Sequence, residues 1–218
     1  MTHHPHAPQF EPRRHALSYW ISEDASRLAS PLTPSALRDM AWNRGQYRGL
    51  AAACLGVGTA CLGASVLALA AGEAAIPAFV GLLLAGIVLL ALGGMVRGRL
   101  RKPLVPSTEP VMASRAPGKL SSGIGLTLFL TLVLGVLLLP LALPLVELGL
   151  GGMVRLVVGT VLFLLALASM FAAPAYYMEH AKRDFRSEIA GDPQLRSALE
   201  AMSLQWKDPR GFREFGPL

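Results

Sequence analysis

Residues 120–146 read LSSGIGLTLFLTLVLGVLLLPLALPLV, 27 consecutive positions without a charge between Lys119 and Glu147. A helix needs about 20 such residues to cross about 30 Å of hydrocarbon, and a buried helix of a water-soluble domain is seldom as long or as apolar on every side. In lipid an isolated segment must satisfy its own backbone N–H and C=O groups, which selects helix over strand. Working outward, charges bracket three more runs: 24 residues between Arg48 and Glu73, 23 between Glu73 and Arg97, and 23 between Arg155 and Glu179. The pattern predicts an all-α membrane protein whose four transmembrane helices lie near residues 50–71, 76–96, 122–146 and 153–177, paired as two hairpins.

Composition supports this reading. Of 218 residues, 53% are hydrophobic and 16% charged, with a mean hydropathy of +0.47. A water-soluble fold of this length leaves roughly a third of its unfolded surface wet, too much to hide so apolar a chain. The chain divides into a polar tail (1–48), a first hairpin (49–97), a basic Pro-rich loop (98–121), a second hairpin (122–178) and a second polar tail (179–218). No apolar run of signal-peptide length precedes residue 49, so no cleaved leader is expected.

Basic residues set the orientation. Six lie in the first tail, six between Arg97 and Lys119, seven in the last tail, and Arg155 alone falls on the other side. Cytoplasmic connections carry the Lys and Arg excess, so both termini and the central loop are expected inside, in a bacterial inner membrane. The bacterial origin rests on the Ala, Gly, Leu and Arg bias. Arg155 is expected to snorkel to the outer interface or to pair with Glu147. Trp42 and Tyr47 before the first span, and Tyr176 and Tyr177 closing the fourth, are placed as anchors at the inner interface. The formal charge of +6 is thereby explained by topology, and no nucleic-acid partner is expected.

Inside the spans, Ala52, Gly56, Ala60, Ala64 and Ala68 recur at every fourth position and form the candidate helix-packing face, since small residues let backbones approach in lipid. Pro140 and Pro144 each remove a backbone donor and are expected to kink the third span. Cys54 and Cys61, seven apart on one helix, stand about 10 Å apart along the axis, too far for a disulfide. No ionisable side chain lies deep in any span, which counts against a proton-coupled transporter, a redox-cofactor subunit using His ligands and an intramembrane protease.

The tails carry amphipathic signals. Leu17, Trp20, Ile21, Ala25 and Leu28 share a helical face, and Thr33–Pro34 reads as the start of a second short helix bearing Leu37, Met40, Ala41 and Arg44. Beyond the fourth span the helix is expected to run on through residue 190, with Gly191 as its stop. Asp192–Pro193 then caps a new helix with a Leu195, Leu199, Met202, Trp206 stripe. His3, His4 and His6 are read as a solvated tail and not as metal ligands. Glu179, His180 and Asp184 are the one titratable trio that could converge on a pocket. Phosphate-loop, zinc-hydrolase, nucleophile-elbow and C-x-x-C patterns are absent. The sequence therefore predicts no enzyme, cofactor or metal. It predicts an accessory, assembly or self-associating membrane subunit whose partners are the bilayer and either its own copies or a larger complex. The alternative is a small transporter or channel for an uncharged or lipid-like substrate.

Overall fold

The computed structural model describes residues 16–28, 35–100, 118–206 and 214–218. The His3, His4, His6 tract, the Thr33–Pro34 helix start and the loop from Arg101 to Pro117 lie outside the described residues. The described chain is about 90% helical and holds no strand; a single parallel bridge joins Ser35 to Glu214. Its helices are α1 (Leu17–Ile21), α2 (Glu23–Leu28), α3 (Ala36–Ala70), α4 (Ile76–Leu100), α5 (Leu120–Glu147), α6 (Leu150–Leu167), α7 (Ala173–Glu179), α8 (Ala181–Gly191) and α9 (Pro193–Gln205). A π turn (Ala168–Ala172) makes α6 and α7 one continuous stretch. Four helices are long and apolar enough to cross a membrane: α3, α4 with its preceding turn, α5, and the stretch from Leu150 to Glu179.

The stretch expected as a separate short helix before the first span is instead the beginning of α3. Its 35 residues reach about 52 Å at 1.5 Å each, well beyond an apolar layer of about 30 Å. Ser35 caps it: its hydroxyl accepts the Arg38 N–H at 3.4 Å. Two further end groups, the N–H of Ala36 and of Leu37, donate to the carbonyls of Glu214 and Phe215 at 2.9 and 3.0 Å. Within α3, Gly45 and Gly49 allow close approach: a Cβ would meet Ala181, at the start of α8, or Pro174, in the fourth apolar stretch, at 2.9 Å.

At its other end α3 reverses through Gly72, whose φ of +102° suits glycine. Pro77 then falls in the first turn of α4, where its missing N–H costs nothing. Gly149, at φ +71°, makes the matching reversal between α5 and α6. α5 continues through Pro140 and Pro144 as one helix. In the fourth apolar stretch the π turn immediately precedes Pro174. That proline cannot donate to the carbonyl of Met170 and would crowd it, and widening the turn relieves the crowding. The Ala173 N–H accordingly reaches back to Ala168.

Packing orders the long helices α4, α3, α6–α7, α5, so α3 has a neighbour on each flank. Beyond them, α1, α2, α8, α9 and residues 214–218 gather on the projecting start of α3. Leu37, Met40, Phe185, Ile189, Leu199 and Leu218 are its most deeply buried side chains, with Trp20 and Trp206 packed at the edge. The helix after Tyr177 does not run to residue 190. It breaks at His180 (φ −92°, ψ 1°), which turns the Ala181, Phe185 and Ile189 face of α8 onto α3. Gly191 is the last helical residue rather than the stop. Asp192 caps α9 as expected, accepting from the N–H of Gln194 and Leu195 at 2.9 and 3.1 Å.

Candidate functional site

Charge and shape concentrate where the projecting part of α3 meets α7, α8 and the end of α4. On α8, Asp184 and Glu188 are four residues apart and share a face beside the buried Phe185 and Ile189. On α3, Arg44 and Arg48 have the same spacing. The two ladders meet. Glu188 accepts from Arg44 Nη1 and, at 3.0 Å, from Arg48 Nη2, while Arg48 Nη1 stands 3.6 Å from Asp184, which also faces Arg183 Nε at 3.6 Å. The Arg44 and Glu188 side chains are 10% and 21% exposed. Burial, then Arg48, holds the Arg44 guanidinium below the usual arginine range, with Asp192 opposing the shift. Burial, then Arg38 and Arg186, lowers the pKa of Lys182 on α8.

Beside this ladder opens a cleft of about 390 Å³. Its rim carries Arg48, Arg97, Tyr177 and Asp184, and its floor includes Ala52 and Leu55. Because one cleft contains Arg48 and Arg97, the polar ends of α3's apolar part and of α4 lie at one level. The N–H of Leu120, first in α5, donates to Glu179 Oε2 at 2.5 Å, which brings the start of α5 and the end of α7 to a common level too. Glu179 thereby caps α5 with a favourable charge at the helix N-terminus. Gly45 backs onto the Tyr177 carbonyl, so Tyr176 and Tyr177 lie level with the part of α3 between Trp42 and Tyr47. Trp42 and Tyr176 are exposed, and the Tyr176 and Tyr177 rings meet edge to face at 5.6 Å.

The titratable trio does not converge. Glu179 is engaged at α5, His180 Nδ1 lies 2.8 Å from the Tyr176 carbonyl with its ring 4.4 Å from that tyrosine, and Asp184 faces the arginines. At the far end of the bundle Arg155 pairs with neither Glu147 nor any other described carboxylate. Its Nη2 donates to the Ala70 carbonyl at 2.9 Å, satisfying an end group of α3. Of the small-residue row, Ala60 is buried, and Ala52, Gly56, Ala64 and Ala68 are half-buried. Gly56 is the tightest point, since a Cβ there would overlap the Ser169 side chain in the π turn. Cys54 and Cys61 are free thiols. Among the described residues no cluster of His, Cys, Asp and Glu could hold a metal.

Sequence reasoning named neither the Arg–carboxylate ladder nor the cleft. The i, i+4 spacings were visible, but the pairing joins residues about 140 positions apart, as for Arg48 with Glu188. Comparison with protein-family models, curated proteins and solved structures finds no match to this chain.

Proposed function

We propose that the chain is a multi-pass protein of the bacterial inner membrane, folded as two helical hairpins with both ends in the cytoplasm. It works through contacts, as an accessory, assembly or self-associating subunit, and not as a catalyst. The observation that carries this reading is the common polar end of the bundle. Residues 48, 97, 120 and 179 lie near one level, and segments from both ends of the chain fold together just beyond it. Nineteen of the 20 basic residues fall in the two tails and the central connection of the sequence, which favours the cytoplasm for those segments. From Arg48 to Ala70, α3 covers about 33 Å, matching one apolar layer. The platform formed by α1, α2, α8 and α9 is where a partner would dock, because it is the part of the molecule that stands clear of lipid.

Single-cysteine variants without Cys54 and Cys61 test the orientation. A membrane-impermeant maleimide should label Glu73→Cys in intact cells, and Arg99→Cys and Ser197→Cys only after permeabilisation; the reverse pattern would overturn the orientation. Cross-linking from Ser197→Cys in native membranes should then give a discrete larger species. A product that stays monomeric at every reagent concentration would refute the contact role.

A further inference from the structure

The cleft at the bundle's polar end combines features that the ladder beside it does not use. Arg48 spends its guanidinium on Asp184 and Glu188, and Asp184 is further covered by Arg183. Arg97 is different: among the described residues no carboxylate lies within 4.0 Å of it, although its side chain lines the same cleft. The rim thus offers a cation without a described carboxylate partner, beside Arg48 and Tyr177. The floor, through Ala52 and Leu55, is apolar and lies on the part of α3 that enters the bundle, while Leu100 at the end of α4 adds an apolar side beyond Arg97. A volume of about 390 Å³ is too small for a helix of another protein and suits one headgroup with a few methylenes.

We propose that this cleft seats an anionic phospholipid, its phosphate on Arg97 and one acyl chain against Ala52 and Leu55. A free phosphate has the same headgroup chemistry but no use for the floor, which is why the lipid is the assigned source. Basic pockets between membrane helices on the cytoplasmic side select acidic headgroups in this way, each Arg contributing about 1 kcal/mol, or about fivefold in occupancy. The inference rests on the membrane reading above, but not on which way the protein faces.

The test uses the full-length protein in nanodiscs of equal parts phosphatidylglycerol and phosphatidylcholine, followed by native mass spectrometry of retained lipid. The wild type should retain phosphatidylglycerol preferentially. Arg97→Gln should lower that preference about fivefold, and Arg99→Gln, two residues on and outside the cleft, should leave it unchanged. Ala52→Phe, which fills the floor, should also lower it, while millimolar inorganic phosphate should not displace the lipid. The proposal is overturned if the wild type shows no preference, if Arg97→Gln and Arg99→Gln behave alike, or if phosphate competes. Should Arg97→Gln fail to fold, Ala52→Phe decides: lost preference supports the site, and retained preference overturns it. Both nanodisc leaflets hold the same lipids, so reversed orientation leaves these results untouched. A failure of the membrane reading would appear earlier, as failure to enter nanodiscs.

Discussion

Glu188 is the residue on which the polar end of the molecule turns, because it answers two arginines of α3 from a helix that enters the chain 140 residues later. Removing one partner of a fully buried pair leaves an unanswered charge and costs about 3–5 kcal/mol. With Glu188 one-fifth exposed, Glu188→Gln should cost about 2 kcal/mol. Urea unfolding in detergent, followed through the tryptophans, measures it; a variant as stable as the wild type would show that water answers the arginines equally well. Lys182 carries the opposite sign. Its pKa is lowered by burial and by Arg38 and Arg186, so the native state binds that proton less tightly than the unfolded chain does. The charged lysine therefore penalises the fold fully below its native pKa, and the penalty fades as pH rises into the ordinary lysine range. Lys182→Gln should accordingly be more stable than the wild type near neutrality, with an advantage that shrinks at high pH. Because the side chain is only partly desolvated and still reaches solvent, the difference is small and salt narrows it. A pH-independent difference in melting temperature would exclude the electrostatic origin.

At the scale of elements, the four long apolar helices were legible because each requirement is local: enough uncharged residues in a row and a backbone that can satisfy itself. The faces on which they pack were less so. A row at every fourth residue drifts about 40° per step around a helix of 3.6 residues per turn, so Ala52 and Ala68 lie far apart in azimuth. Gly45, Gly49, Gly56 and Gly63, spaced four, seven and seven, hold closer to one line, and all four back onto the fourth apolar stretch. The π turn was not legible at all. Pro174 signalled a disturbance, but whether a proline kinks, ends or widens a helix depends on what lies against it. Here it is the notch at Gly56, which receives Ser169. Gly56→Ala should therefore separate α3 from the π turn and cost about 1–3 kcal/mol, as overpacking does. Ser169→Gly in the same chain should restore part of the loss, a coupling that a double-mutant cycle reads directly. Gly94→Ala, with open space at its Cβ position, should instead gain about 0.5–1 kcal/mol. Strict additivity of Gly56→Ala and Ser169→Gly would place the close approach elsewhere.

The whole molecule joins what the sequence separates most widely. The apolar stripes of the first tail and of α9 could be read one by one, and Leu37, Met40 and Ala41 read as a short helix of their own rather than as the start of α3. That they cover one another could not, because an amphipathic stripe states only that it needs a partner, and lipid, another subunit or this same chain satisfies it equally. The link that closes the assembly lies in residues 214–218, a stretch with no periodicity. Its carbonyls take the first N–H groups of α3, the Leu218 N–H donates to the Trp20 carbonyl at 3.0 Å, and the Ser35 hydroxyl donates to the Pro217 carbonyl at 2.8 Å. Phe215 is 4% exposed and stands 5.8 Å from the Trp206 ring. Phe215→Ala removes its burial and leaves a cavity, a loss of about 3–5 kcal/mol. A platform this small has little more than that to lose, whereas the four long apolar helices keep their own hydrogen bonds whatever happens beyond them. The variant should therefore show red-shifted tryptophan emission and rapid proteolysis within residues 193–206, with circular dichroism still dominated by the four apolar helices. If α9 stays as protease-resistant as in the wild type, residues 214–218 decorate the platform and do not close it; if the apolar helices unfold with it, the two parts form one cooperative unit and the separation argued from hydrogen bonding fails.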